Sequence, residues 1–289
     1  MSHQKGTTQT GASPSGYHFV QSYQNCKRKF YWQYIRSLEP IHKAPALLLG
    51  SAGHEGLDEW YNQHSIGSSV SKRVKFATDR AIACIEESYD HYYDKSKFEA
   101  HKRQLRDTFQ QYGLEYYDES LRVLSREDTL SVGLEYGDIF TGRMDLVALF
   151  GDGRRMIVDH KFTGWHMESF ARSVKSSDQA TAYTMLWNEN FPGKRVGGVV
   201  FNIIRNYQGK IDFKRVPVYR AQGDVDEFKR EVSENFRDLA QRAVDPEATW
   251  PKNTDHCFAY NSPCPFLDLC QGVKYDGLVG VKFKLREEA

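Results

Sequence analysis

The chain has 289 residues, of which 40% are hydrophobic and 27% charged, and its net charge is +1. That length suits one α/β domain with inserts, and that composition excludes disordered and fibrous classes. A charge so near zero excludes a strongly basic nucleic-acid coat, although it leaves room for a local basic groove.

No apolar run reaches the length of a membrane span, and the N-terminus lacks the apolar core of a signal peptide. A cytoplasmic protein with no membrane partner is therefore expected. Five cysteines, an odd number, point to free thiols or a metal rather than a disulfide framework. Residues 1–16 are small, polar and rich in Gly, Ser and Thr, and read as a disordered tail. Residues 17–289 read as one domain: a mainly helical part over 17–130, a sheet core over 131–222, and a C-terminal helix with a cysteine-rich loop over 223–289.

Residues 17–35 are dense in aromatics at helical spacings and predict a largely buried helix. It contains Cys26, by itself a small buried hydrophobe, followed by the solvated triplet Lys27-Arg28-Lys29. Residues 45–64 predict a second helix with Leu47, Leu48, Leu49, Leu57 and Trp60 on its apolar face. Gly50, Ser51, Ala52 and Gly53 would let it approach another element closely just before His54. Taken alone, a helical histidine is more often a core or surface residue than a ligand. Residues 70 to about 124 read as two long helices with a break near 94–97; Cys84 lies within the first as a plain buried thiol.

The stretch from Gly133 to Lys161 carries the chemistry. Thr141 to Phe150 is apolar enough for a buried strand, Gly151-Asp152-Gly153 is a hairpin turn, and Arg155 to Phe162 resumes the strand pattern. Alternate residues of a strand share a face, so Asp159 and Lys161 point one way and Val158, His160 and Phe162 the other. With Asp145 from the neighbouring strand, these residue types suit a hard cation such as magnesium or manganese beside a phosphate. The alternative is a surface hairpin with an ordinary Asp–Lys pair.

Further on, Ser177 caps a predicted helix that runs to Pro192 and places Gln179 and Tyr183, four apart, on one face. Gly197 to Ile204 reads as a buried strand, pairing with Lys210 to Tyr219 around a turn at Gln208-Gly209. Residues 224–243 form an amphipathic helix. Cys257, Cys264 and Cys270 follow in a Pro-containing loop, and with Cys26 they make four thiolates suited to zinc or an iron–sulfur cluster. Spacing alone does not choose between these, though zinc sites usually show C-x-x-C pairs and none is present.

Gly-Arg-Met-Asp145, a turn, and then Ile-Val-Asp159-His-Lys161 resemble the core of the PD-(D/E)XK nucleases in their RecB-like branch. Glu135 resembles the family's first acidic residue, Gln179 and Tyr183 its Q-x-x-x-Y helix, and His54 its upstream helical histidine. The resemblance implies a restriction-endonuclease-like α/β fold: a central mixed sheet flanked by helices, with an N-terminal helical layer. It implies a Mg2+- or Mn2+-dependent deoxyribonuclease in which Asp145, Asp159, His54 and the His160 carbonyl hold the metal. Lys161 would position water or stabilise the phosphate, while Gln179 and Tyr183 bind DNA or steady the lysine.

One N-terminal cysteine plus three near the C-terminus is similar to the [4Fe–4S] layout of AddB-type helicase–nucleases and CRISPR-adaptation exonucleases. One departure is the six residues between Cys257 and Cys264, where those relatives often have two. The activity expected is exonucleolytic, on single-stranded DNA ends. With no helicase phosphate loop in the chain, it is expected to act alone or with a separate protein partner from a recombination, repair or CRISPR-adaptation system. The rival expectations are a non-catalytic DNA-binding or assembly subunit, and a zinc-stapled hydrolase of another phosphate ester.

Overall fold

A computed structural model of the chain describes residues 15–92, 94–245, 247–259 and 262–286. The expected N-terminal tail, except for Ser15 and Gly16, lies outside the described residues. At the centre is a five-stranded sheet in the order β2-β3-β4-β5-β6. Its strands are β2 (Leu121–Gly133), β3 (Ile139–Phe150), β4 (Arg155–Thr163), β5 (Gly198–Tyr207) and β6 (Lys210–Tyr219). All neighbours are antiparallel except β4 and β5, which run parallel. The sheet is therefore mixed and flanked by helices, as expected.

The two faces of the sheet carry different layers. One packs on α3 (Pro45–Ser65), α4 (Val70–Glu87) and α5 (Lys95–Glu115), with Leu57, Trp60, Phe109, Leu146, Val158 and Ile204 in its core. The other packs on α7 (Asp178–Asn190) and α8 (Gln222–Val244), through residues such as Val147, Ile157, Met185, Phe201 and Phe236. The alternation of a two-sided buried strand produces this division directly. Within β4, Ile157 belongs to one core and Val158 to the other.

Several expected boundaries shift. The predicted helix over 17–35 is broken: α1 (Tyr17–Asn25) ends at Cys26, which is extended (φ −162°, ψ 104°), and α2 (Lys27–Phe30) runs into a π-helical turn, Tyr31–Ile35. The helix expected to continue to Leu124 ends at Glu115, and the sheet begins at Leu121 rather than at residue 131. Leu47, expected on the apolar face of α3, is exposed, whereas Leu48, Leu57 and Trp60 are buried. The turn at Gln208-Gly209 and the Ser177 cap, whose side chain accepts from Gln179 N, stand as expected.

Smaller elements close the periphery. α6 (Met167–Ser173) follows β4, α9 (Leu267–Cys270) lies near the C-terminus, and β1 (Leu38–Pro40) pairs antiparallel with β7 (Phe283–Leu285). Among the described residues no helix is long and apolar enough to cross a membrane.

α3 approaches its neighbours where it lacks side chains. A Cβ at Gly56 would stand 2.2 Å from the Phe109 ring and 2.9 Å from the Ala77 carbonyl. One at Gly53 would stand 2.2 Å from the Phe162 ring. These two glycines bracket His54 and let the helix lie flat against α4, α5 and β4. Gly56→Ala is expected to cost about 1–3 kcal/mol by overpacking, read as a lower denaturant midpoint with unchanged m-value.

Candidate active site

The pairing of β3 with β4 runs only from Leu149↔Arg155 to Leu146↔Val158. The next facing pair is Asp145 and Asp159, and there the ladder stops. β3 continues its pairing with β2, and β4 with β5. The two aspartates sit in the crotch of this fork, on the sheet face that α7 covers.

A strand that loses its neighbour leaves backbone donors to be satisfied. The His160 N–H finds its acceptor in the Asp145 side chain, 2.8 Å from Oδ2. His54 Nδ1 lies 3.1 Å from the same oxygen. On the other carboxylate, Gln179 Nε2 donates to Asp159 Oδ1 at 3.1 Å, and the same amide donates to the Tyr183 hydroxyl at 3.0 Å. Lys161 Nζ stands 2.6 Å from Asp159 Oδ2, an oxygen that is buried and otherwise without a hydrogen-bond partner. The expected residues Asp145, Asp159, Lys161, His54, Gln179 and Tyr183 are thus brought together. The amide meets Asp159 rather than the lysine.

The environments of the two aspartates differ. Burial would raise the Asp145 carboxyl, but His54 and the His160 N–H outweigh it and hold the group well below the usual carboxylate range. Asp159 goes the other way: burial, helped by the Asp145 charge, outweighs Lys161 and pushes its carboxyl up to about 6. The His54 imidazole is lowered by burial but raised more by Asp145, so it lies above its ordinary value. Carboxylates pushed apart in this way divide roles between them.

His160 points its ring to the opposite face, as the strand alternation requires. It stacks on Tyr61, with centroids 5.6 Å apart and planes 7° apart, and its Nδ1 accepts from the Asn202 amide at 2.9 Å. Burial pushes this imidazole down to about 3, so it is neutral. Only its backbone faces the fork.

Glu135 is not brought to the site. It is exposed in the turn between β2 and β3, where its N–H donates to Ser233 Oγ at 3.3 Å. The reason is register. Asp128 faces Met144 and Arg126 faces Leu146, so the residue opposite Asp145 is Glu127. Glu127 takes a left-handed conformation (φ 50°), and Arg143 Nε stands 2.9 Å from its Oε2. Burial and the Asp145 charge push its carboxyl up to about 8. The sequence held the signal, because a hairpin turn at Gly137 sets which residue faces Asp145, but reading 125–133 as strand was required to use it.

Carboxylate oxygens with one imidazole suit a hard divalent cation, and the orphaned Asp159 Oδ2 fits such a group. As the side chains stand, no set of three or more His, Cys, Asp or Glu among the described residues is spaced to hold an ion. Lys161 and His54 occupy the carboxylates instead. Away from the fork, Cys26, Cys257, Cys264 and Cys270 line one cavity, together with Lys29 and His256, and all four are free thiols. Asn253 N–H donates to Cys26 Sγ at 3.4 Å, tying the break after α1 to the C-terminal loop. Cys84 is buried elsewhere, its thiol pushed up to about 11 by burial.

Glu127 generates a pH prediction. Its carboxyl keeps a proton to about pH 8 in the fold but loses it near the ordinary value once unfolded. The native state then binds more protons across that window, so stability falls as pH rises through it. With EDTA present, Glu127→Gln is expected to match wild type near pH 5 and to melt several degrees higher above pH 8. Parallel melting curves across the range would contradict the assignment.

No curated protein matches the chain. Among solved structures, a protein from Eubacterium rectale named as a candidate exonuclease is 14% identical over 90% of this chain and 93% of its own, with a TM-score of 0.49. SSO0001 is 9% identical over 80% of this chain and 96% of its own, with a TM-score of 0.30. Likenesses of that size carry no weight for function. The family model of the PD-(D/E)XK nuclease superfamily, by contrast, matches residues 13–271. With the Asp145–Asp159–Lys161 fork on a mixed sheet, the match is to most of the chain: it belongs to the PD-(D/E)XK nuclease superfamily.

Proposed function

We propose that this chain is a divalent-metal-dependent deoxyribonuclease of the RecB-like branch, an exonuclease on single-stranded ends, stabilised by a [4Fe–4S] cluster. The observation that carries the reading is the fork: a buried and a half-buried aspartate of opposed character, with a lysine at 2.6 Å, on a sheet face open at its β3–β4 junction. Nucleases of this superfamily use Mg2+ or Mn2+, and Asp145, Asp159, His54 and the His160 carbonyl would hold the ion here. When bound, such a cation lowers the pKa of a water and neutralises charge on the phosphate.

The remaining work falls to side chains. Lys161, once released from Asp159, presents a cation to the scissile phosphate or the attacking water. Gln179 fixes the orientation of Asp159 through Oδ1, and Tyr183 fixes Gln179. Glu127, with its raised carboxyl, takes the place that Glu135 was expected to fill. The intact Asp159–Lys161 pair argues against a purely structural DNA-binding subunit.

The cluster reading rests on four free thiols around one cavity at the junction of α1 with the C-terminal loop. Such a group would join the two ends of the chain, which β1 and β7 already bring together by pairing.

Anaerobically purified protein is expected to degrade end-labelled single-stranded DNA with Mn2+ or Mg2+ and not with EDTA. Asp159→Ala and Lys161→Ala should each lose about 100-fold or more in kcat. A well-folded wild type that degrades no DNA under any metal would overturn the nuclease reading. For the cluster, the same preparation should be brown, and Cys264→Ser should lose both the colour and several degrees of melting temperature. A colourless, zinc-containing wild type would replace the cluster with zinc while leaving the nuclease reading intact.

A further inference from the structure

Beyond Lys161, β4 runs on through Thr163 to a short exposed loop, Gly164-Trp165-His166, that none of the roles above uses. Strand alternation places Asp159, Lys161 and Thr163 on one face. Their β5 partners Phe201, Ile203 and Arg205 share that face, and Tyr207 follows two residues later. Tyr207 therefore lies on the catalytic face past its open end, and Trp165 sits in the loop that leaves β4 at that same end. Trp165 and Tyr207 are 46% and 49% exposed. Single exposed aromatics on a protein surface need no explanation, but these two are linked through Arg205, which touches both, and through Gly164.

The holding contacts are specific. Trp165 N–H donates to Thr163 Oγ1 at 3.0 Å, and Arg205 Nε donates to the Trp165 carbonyl at 2.8 Å. The same guanidinium pairs with Asp212 at 2.8 Å and lies 5.4 Å from the Tyr207 ring centroid. Phe170 of α6 braces the indole edge-to-face at 6.3 Å. Gly164 passes against Tyr207, where a Cβ would lie 4.0 Å from the ring. The side chains of this rim are mainly cationic: Arg172, Arg205, Lys210 and Lys214 outnumber Glu168 and Asp212, and Lys214 is tied to Glu168 at 2.6 Å. A tryptophan whose main chain is anchored on both sides and whose ring is braced by Phe170 loses less freedom when a ligand stacks on it, and surrounding cations attract a phosphate backbone.

We propose that Trp165, with Tyr207 beside it, forms a stacking platform for an unpaired nucleobase of the DNA strand held at the fork, and so favours single-stranded ends. The inference rests on the nuclease reading for its substrate. Four residues of extended chain separate Lys161 from Trp165, at most about 13 Å. That places the stacked base within about four nucleotides of the scissile phosphate at the stacked repeat of about 3.4 Å. Inside a duplex each paired base is stacked on both faces and offers none to the ring, whereas a base of a single strand is free to turn onto it. Base–aromatic stacking is tolerant of sequence, so the platform selects for strandedness rather than for a base.

The test uses the full chain with oligonucleotides carrying 2-aminopurine at successive positions from the labelled end. Binding is measured in EDTA, and turnover with Mn2+. Wild type should quench the probe at one or two adjacent positions, and Trp165→Ala should abolish that quenching while Trp165→Phe retains it. In turnover, Trp165→Ala should raise KM for single strands roughly 5- to 100-fold with kcat within about twofold. An abasic site at the quenched position should weaken wild-type binding as much as the substitution does. Quenching that survives Trp165→Ala, or a fall in kcat and melting temperature with KM unchanged, overturns the platform. A wild type that quenches through Trp165 but cleaves no DNA supports the platform and sinks the nuclease reading, so the two failures are distinguishable.

Discussion

The structure depends on where one ladder of hydrogen bonds ends. β3 and β4 pair for four residues each and then part, each keeping its outer partner. Parting a sheet in its middle would ordinarily leave buried backbone groups unsatisfied, at a cost comparable to lost hydrogen bonds. Here the Asp145 carboxylate enters the gap and accepts from the His160 N–H. The residue that repairs the sheet is thus the one that makes the site. Asp159, across the gap, is buried to 1% exposure and is left with one oxygen that only a cation satisfies. Burying two carboxylates at close quarters is costly unless they are paired. His54, Lys161 and Gln179 supply those partners, each from a different part of the fold.

Behind the fork, the opposite face of the sheet is stiffened by a connected polar network. His160 is stacked on Tyr61 and joined to Asn202, and Asn202 Nδ2 donates to the Tyr112 hydroxyl at 3.0 Å. Tyr61 and Tyr112 share a hydrogen bond of 2.8 Å, and Arg215 reaches Tyr61 at 3.0 Å while pairing with Glu119. Buried polar networks of this kind are costly if incomplete and rigid if satisfied. This one ties α3, α5, β4, β5 and β6 together. Because α3 also carries His54, packing that fixes Tyr61 fixes the histidine two turns earlier on the same helix. Gly53 and Gly56, on either side of His54, allow the close approach that the contact with Asp145 requires.

At the periphery the chain closes on itself. Arg28 N–H donates to the Pro251 carbonyl and its Nε to the Trp250 carbonyl, Asn253 bonds Asn25, and β1 pairs with β7. Trp250, Phe30 and Tyr23 form a small core of their own. The extended conformation of Cys26 breaks the first helix where the C-terminal cysteines meet it. A helix uninterrupted from Tyr17 to Ile35 would carry the thiol away from that cavity.

What the sequence determined by itself was local. The alternation in β4, the Gly151–Gly153 turn, the Ser177 cap and the spacing of Gln179 and Tyr183 are short-range features whose signals lie within a few residues. They sufficed to place Asp145, Asp159 and Lys161 on neighbouring strands and Gln179 and Tyr183 on one face of a helix, while the mixed sheet itself was implied by the family resemblance. What tertiary structure alone decided was register and opposition. Glu135 lies nearer to Asp145 in the chain, but antiparallel pairing sets Glu127 opposite Asp145, through an irregular left-handed residue that no propensity marks. Residues 121–124 look helical in isolation, yet they pair with β3, because a cross-strand partner distant in sequence outweighs weak local preference. The opposed characters of the two aspartates have the same origin. Both are the same residue type, and only the groups the fold delivers, His54 and a backbone N–H to one, an amide and a lysine to the other, set them apart.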